Sequence, residues 1–532
     1  MTAAGYEWDD PWEDDENAGK LSGPSPELLA FLERARAARE QQQASKRTGA
    51  APSEDHLAPA SKPASGRDGA TQLVDLALDR YDIRQNEAGL SIAVPREGPR
   101  IVRTLRDVRG ELARAFYREH DRAPSEKDVS AAMRVLEGEA ASNGRTPLAL
   151  RVAEADGAQW LDLGDDTGRV VRVAPDGWSV EREAPVLFRR TALTAPLPTP
   201  VPGGSLDELW RHVNVAEEDR PVVLAGQVAA LLPTIPHPVT FITGEQGAGK
   251  STGTRALTSV VDPSTVPLRK PPKDVEAWTL AAGGSYGVAV DNVSHIPPWW
   301  SDSLCRAATG DGDVRRALYT DDGLHVFAFR RVVFVNGIDL TGIRDDLADR
   351  AVTIRLEPLV GRRRTDAELA SQWEDAHPRI LAALLDLAVD VLGELPTVRL
   401  DDPPRMIDFA RVLAAVDSVL GTTGLDRYVH LADDLAADAV SSDPVLSAIT
   451  TKVRAPWEGT AAELLTLLDA GEWLLDTRPR EWPRDARSMT TVLRRRGPSL
   501  RHLGWSVDDL GRGGKAKAVR WRIVPPAGEG LS

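Results

Sequence analysis

The sequence predicts an α/β fold with a P-loop core, an α+β region before it and helical units behind it, and three observations carry that prediction. Residues 241–252 read Phe-Ile-Thr-Gly-Glu-Gln-Gly-Ala-Gly-Lys-Ser-Thr, which fits the spacing Gly-x4-Gly-Lys-Ser/Thr between a strand-like run and a helix-compatible run. Two later apolar runs, ending at Asp291 and Asn336, have the character of buried strands. Beyond Pro358, apolar residues recur at three- and four-residue spacing, the signature of amphipathic helices.

At 532 residues the chain exceeds one hydrophobic core, and its length suggests about three or four domains. The one cysteine, Cys305, excludes an internal disulfide framework, and the acidic start lacks the basic-then-apolar pattern of a secretory leader. The expected location is therefore cytoplasmic. No apolar run approaches the roughly 20 residues that span a bilayer, so no membrane partner is expected. The net charge of −15 argues against a surface coated uniformly for nucleic acid, but the charge is spread unevenly.

Along the chain, residues 1–70 combine an acidic cluster (Glu7 to Glu16, with Trp8 and Trp12) with Gln- and Ser/Pro/Gly/Ala-rich runs, and read as a disordered tail with one helix over Pro26–Arg39. Residues 71–193 read as an α+β accessory domain. Helices are expected over Gln72–Tyr81, Thr104–Tyr117 and Pro124–Glu137, the last starting at a Ser125 capping box. Strands follow over Ala158–Leu163, Arg169–Ala174 and Trp178–Arg182, separated by Gly/Asp turns. Residues 194–203 are a stiff Pro-rich linker. The P-loop domain is expected over 204–360 and a helical domain over 361–450, with helices at Asp366–Ala376, His377–Leu395, Pro404–Leu420 and Asp426–Val440. Residues 455–525 read as helices closing into a two-stranded ribbon, which suggests a winged-helix-like DNA-binding domain.

The loop Gly244, Glu245, Gln246, Gly247, Ala248, Gly249, Lys250, Ser251 and Thr252 is expected to bind a nucleoside triphosphate. Its glycines let backbone N–H groups turn toward the phosphates, Lys250 offsets their charge and the Ser251 hydroxyl ligates Mg²⁺. Asp291, 41 residues after Lys250, is the expected second Mg²⁺ ligand. Asn336 could contact the γ-phosphate or the attacking water, although Asn-Gly also starts turns. Arg350 could reach a neighbouring subunit's γ-phosphate or form a salt bridge to Asp346 or Asp349 in its own chain.

The set Gly244–Thr252, Val288-Ala-Val-Asp-Asn, Leu304–Tyr319, Val333-Phe-Val-Asn-Gly and Asp349-Arg350 resembles the motifs of superfamily 3 helicases, most closely the poxvirus helicase-primase-like branch of phages and integrated mobile elements. The resemblance covers about residues 205–360. It implies an AAA+-like ATPase core, ATP and Mg²⁺ as cofactors, a hexameric ring that translocates on single-stranded or forked DNA, and catalytic roles for Lys250, Asp291, Asn292, Asn336 and Arg350. Two departures stand out. Motif B in that family ends in two acids, whereas Asn292 follows Asp291, so Glu245, Asp302 or Asp311 must polarise the water or hydrolysis is slow. The hairpin that contacts DNA in such families has a basic tip, whereas this turn is Thr320-Asp-Asp-Gly323, leaving Arg315 and Arg316 as candidates.

The densest basic stretch is Arg478–Arg522, with 13 Arg/Lys against four acids, among them Arg494, Arg495, Arg496, Lys515 and Lys517. It suits phosphate contacts, or a solvated surface that docks the acidic tail. The leading reading is an ATP-dependent DNA helicase of a mobile element's replication module. No acid constellation for priming occurs before residue 200, so a primase would be a separate partner. The alternatives are a nucleotide-gated DNA-binding switch with little turnover and a P-loop small-molecule kinase.

Overall fold

The structure, a computed structural model, describes residues 68–316, 324–337, 343–359, 364–469, 479, 482–513 and 518–526. The expectations for residues 1–67 and for the Thr320–Gly323 turn lie outside these residues.

The first described unit holds α1 (Gly69–Arg80), β1 (Tyr81–Asn86), β2 (Ser91–Pro95), β3 (Arg103–Thr104), α2 (Leu105–His120), α3 (Glu126–Ser142) and β4 (Arg145–Thr146), with sheet order β3-β2-β1-β4. Thr104 and Asp107 form a reciprocal capping box at the start of α2, and Ser125 caps α3. Tyr81, expected as the last helical residue of α1, is extended and buried, and opens β1 instead.

Strands β5 (Val152–Ala155), β6 (Ala158–Asp162), β7 (Val170–Ala174) and β8 (Gly177–Glu181) form the expected antiparallel meander, with β5 added at its edge. The stretch 71–193 thus holds two four-stranded sheets with different cores, and a short parallel pair of Leu148–Ala149 with Leu187–Phe188. The first unit packs around Leu73, Leu112, Phe116 and Leu136. The meander's Val152, Leu161, Leu163, Val171 and Val173 join the cluster beneath the P-loop. An ion pair fastens that joint: Arg151 Nε donates to Asp262 Oδ1 at 2.7 Å, with the side chains 1% and 8% exposed. Asp262 Oδ2 also accepts the backbone N–H groups of Tyr286 and Gly287. The Pro-rich stretch 194–203 is stitched to three neighbours, Ala195 N–H donating to the Pro263 carbonyl, Leu197 to Leu163 and Val201 to Pro378.

The core continues through α4 (Arg220–Ala229), β9 (Val239–Thr243), α5 (Lys250–Val261), α6 (Val275–Gly284), β10 (Gly287–Val290), α7 (Pro298–Thr309), β11 (Gly312–Arg316), β12 (Leu324–Ala328), β13 (Val332–Asn336), α8 (Asp345–Ala348) and β14 (Ala351–Arg355). Its sheet runs β10-β13-β9-β14, all parallel, and a bridge from Arg269 to Val290 extends the β10 edge. Val239, Phe241, Val288, Val290, Val333 and Val335 bury against one cluster, and Ile242, Ala289, Phe334, Val352 and Ile354 against the other. Burial on both faces is why these strands read as continuous apolar runs.

Helices α9 (Asp366–Glu394), α10 (Ile407–Leu420), α11 (Gly424–Ser442) and α12 (Pro444–Lys452) follow. The two helices expected over 366–395 are one, running through Pro378. A proline inside a helix costs about 3 kcal/mol. Burial of Ile380, Leu381, Leu384, Leu385, Leu387 and Val391 on the same core outweighs it. The last unit comprises β15 (Trp457–Thr460), α13 (Ala461–Asp469), α14 (Ala486–His502), β16 (Ser506–Gly513) and β17 (Ala518–Val524). Its antiparallel sheet has order β15-β17-β16 and lies over an apolar cluster of its own. Helix α14 runs unbroken through Gly497 and Pro498 and is begun by an Asp485/Ser488 capping box. Among the described residues, no helix is long and apolar enough to cross a membrane.

Candidate nucleotide-binding site

Strand β9 ends at Thr243, and the chain must then turn sharply to enter α5. Gly244, Gly247 and Gly249 make the turn with φ of 145°, 88° and 79°, values that favour glycine. At Gly244 there is also no room, since a Cβ would lie 2.8 Å from the Leu356 carbonyl oxygen. Lys250 Nζ donates to the carbonyls of Gly244 and Glu245 at 2.8 and 2.9 Å, so the ammonium is folded back over the loop that it begins to leave.

The start of α5 and the end of β10 meet directly. Ser251 Oγ donates to Asp291 Oδ1 at 2.8 Å. Two hard oxygen donors, only one of them a carboxylate, fit Mg²⁺, which takes one or two carboxylates and leaves its other positions to phosphates and water. Among the described residues no group of three or more His, Cys, Asp and Glu could hold a metal without such help.

Asn292 lies just past β10 in the left-handed region, with φ of 59°. Its backbone N–H donates to Asn336 Oδ1 at 2.9 Å, and Asn336 Nδ2 donates to Thr254 Oγ1 at 2.9 Å. The Thr254 hydroxyl in turn donates to the Lys250 carbonyl at 2.7 Å. Asn336 is 2% exposed, so both ends of its amide are spent inside the protein. The Asn292 side chain is exposed. Thr254 was not singled out from sequence. A hydroxyl in the interior of a buried helix was the available signal, but such groups usually bond back to their own helix, as this one also does.

Of the acids that could replace the second motif B carboxylate, Asp302 is paired with Arg344 at 3.0 Å and Asp311 accepts the Thr309 hydroxyl at 3.0 Å. Glu245 is exposed on the phosphate loop itself. Cys305 is buried and its thiol is pushed up to about 12 by burial and by Asp346, which leaves it inert.

Arg350 stands at the other end of the sheet. The register pairs Val239 with Ala351 and Thr243 with Arg355, so the phosphate loop leaves the top of β9 while Arg350 precedes the foot of β14. Strand length alone puts about 13 Å between these levels, at the 3.3 Å rise of a parallel strand. Its Nη1 donates to the Asp346 carbonyl at 2.6 Å, and the adjacent Asp349 pairs with Arg405 at 2.8 Å.

The basic candidates are scattered. Arg315 and Arg316 lie on β11, paired by backbone with His325 and Leu324. Lys515 and Lys517 fall outside the described residues. Within the run on α14, Arg494 is held by Asp509 at 2.9 Å and Arg496 by Asp443, which also caps α12. Only Arg495 of the three is exposed and outside these pairs. Residues two apart on a helix point in nearly opposite directions, so a run of three arginines cannot serve one surface. Arg487 and Thr491, four and eight residues before Arg495, are exposed with it.

A model of the actinomycete integrative conjugative element replication proteins matches residues 206–438, and a model of that family's C-terminal domain matches residues 443–529. The two matches together cover more than half of the chain. The chain belongs to this family of replication proteins. Residues 68–205 lie outside both matches. Among curated proteins none matches. Solved structures that align with this chain include the SCCmec type IV Cch protein, described as an active helicase, at 12% identity over 84% of this chain and 93% of that one, with a TM-score of 0.42. The apo C-terminal region of NrS-1, in its A form, aligns at 11% identity over 87% of this chain and 100% of that one, with a TM-score of 0.36.

Proposed function

We propose that this replication protein hydrolyses ATP with Mg²⁺ as an oligomeric ring that moves along DNA. The observation that carries the reading is the 2.8 Å approach of Ser251 Oγ to Asp291 Oδ1 at the mouth of a three-glycine loop that Lys250 closes. On nucleotide entry, the Lys250 ammonium exchanges its two carbonyl partners for phosphate oxygens, and the loop's N–H groups surround them. Ser251 and Asp291 are the residues that would hold Mg²⁺, whose charge would offset that of the transferred phosphoryl group. Asn336, buried among Asn292 and Thr254, keeps the end of β10 in register with α5 and makes no use of its amide at the surface. Glu245 is the exposed acid nearest in sequence to Lys250 and is the candidate to orient water.

Arg350, a strand length from its own loop, supports a finger that serves a neighbouring subunit, where a guanidinium stabilises transition-state charge. The order helix, strand, helix, helix, strand, strand over residues 444–524 is that of a winged helix, with α14 presenting Arg487 and Arg495 to DNA phosphates. Priming would come from a separate protein. ATP turnover measured with and without single-stranded DNA, beside Lys250→Ala, tests the reading. Turnover that survives the substitution excludes this site. The second reading, a nucleotide-gated DNA switch, is favoured by Asn292 alone, and it is the outcome if nucleotide binds tightly without DNA-stimulated turnover.

A further inference from the structure

Helix α2 belongs to the unit that neither family match reaches, and its chemistry is independent of the P-loop. Leu105, Val108, Leu112, Ala115 and Phe116 turn one side of it into the core. The opposite side presents Arg106, Gly110, Arg114 and Arg118, four residues apart and all exposed. Tyr117, 53% exposed, stands beside them. The nearby carboxylates are already engaged: Asp107 closes the capping box with Thr104, and Glu111 is held by Arg103. Glu119 follows Arg118 but is turned about 100° around the helix. Among the described residues Arg106, Arg114 and Arg118 make no ion pair. Gly110 keeps the middle of the ridge low, since a Cβ there would meet nothing within 4 Å.

Three unpaired guanidinium groups and an uncovered aromatic ring on one straight ridge combine the two elements that hold a single strand: cations that track phosphates and a face on which an unpaired base stacks. A duplex has no such base to offer. From Arg106 to Arg118 the ridge is about 18 Å long at the helical rise of 1.5 Å per residue. At the 3.4 Å per nucleotide of a duplex strand that length is about five nucleotides, and a more extended single strand would cover it with fewer. We propose that α2 is a second DNA contact, specific for single-stranded DNA and separate from α14.

The test is fluorescence anisotropy of a labelled oligothymidylate titrated with the full chain, in nucleotide-free buffer at several salt concentrations. Arg106→Gln/Arg114→Gln/Arg118→Gln is expected to flatten the log–log salt slope by about two, since each phosphate contact on a single strand contributes about 0.7. Tyr117→Ala is expected to weaken binding about fivefold or more, the loss of one stacked base. Both variants should keep the wild-type melting temperature and the wild-type affinity for a blunt-ended duplex of two separate strands. An unchanged slope and affinity overturns the proposal, and so does tighter binding by the triple variant, which would mean that the ridge holds an acidic segment. Equal losses on the blunt duplex overturn the single-strand assignment. With no nucleotide present, none of these outcomes depends on whether the P-loop turns over ATP.

Discussion

The Asn336 side-chain amide donates to the Thr254 hydroxyl at 2.9 Å, tying the end of β13 to the second turn of α5. Through the bonds on either side, the Lys250 carbonyl and the Asn292 N–H belong to the same line. Asn336, at the end of β13, therefore reaches the glycine loop through its neighbours. Thr254→Val removes the link and leaves a buried amide donor unsatisfied. It should lower kcat about tenfold, one hydrogen bond's worth, with nucleotide affinity close to wild type, while Thr254→Ser keeps activity. Steady-state turnover beside a fluorescent-nucleotide titration checks it, and equal losses in both variants would count against the relay.

Asn292 occupies a left-handed conformation that aspartate also tolerates. Asn292→Asp should therefore fold normally, and turnover should be unchanged or raised. Asn292→Val pays about 1–2 kcal/mol for the same backbone shape. Melting curves and turnover separate the two; a folded but dead Asn292→Asp would show that the amide is required.

Lys250→Ala and Arg350→Ala subunits, each inactive alone, should recover partial turnover when co-assembled, because some interfaces then join an intact loop to an intact finger. Failure to recover in demonstrated mixed oligomers would assign Arg350 to its contact with the Asp346 carbonyl alone.

Breaking the Arg151–Asp262 pair should be costly, because the partner left behind is a buried charge. Asp262→Ala is expected to destabilise by about 3–5 kcal/mol, more than any surface exchange on the meander. It also strips the acceptor from Tyr286 and Gly287 N–H at the start of β10. Chemical denaturation reads the loss, and a shift under 1 kcal/mol, about the value of an exposed pair, would mean that water enters the joint.

Two buried histidines set an acid limit. Burial pushes His237 down to about 3, with Arg330 adding to it, and burial pushes His377 down to about 4. Both are neutral in the folded chain but protonate near 6.5 when unfolded, so the unfolded state binds more protons between those values. Their stabilisation is complete above about pH 6.5 and is lost as pH falls, by up to about 1.4 kcal/mol per pH unit for each. Melting temperatures from pH 8 to pH 5 should fall below 6.5, less steeply in His377→Gln.

The turn between β9 and α5 was legible because three glycines at that spacing suit the positive φ angles the turn needs, and the parallel strands because burial on both faces leaves an unbroken apolar run. Strand β1 was missed at Tyr81, where a helical pattern passes into a strand without a breaker. Pro378 suggested a break that packing overrides. The surroundings of the α14 arginines were illegible for a different reason: sequence gives their number, but which carboxylate each one meets depends on how β16 and α12 fold over the helix. Thr254 became visible only when β13 was laid beside α5.

The stitched stretch 194–203 bears on how this chain can be taken apart. Proline-rich segments invite the choice of a cut site, and residues 194–203 look like the natural place to release an ATPase fragment. Leu197 is 4% exposed and donates its N–H to the meander, while Ala195 and Val201 on either side donate to the turn after α5 and to α9. A fragment starting at 204 would uncover the apolar floor on which Val152, Leu161 and Val171 rest, with Asp262 stranded beside it. Expression of the minimal P-loop region alone should give aggregates, whereas fragments beginning near residue 148 keep the seam closed.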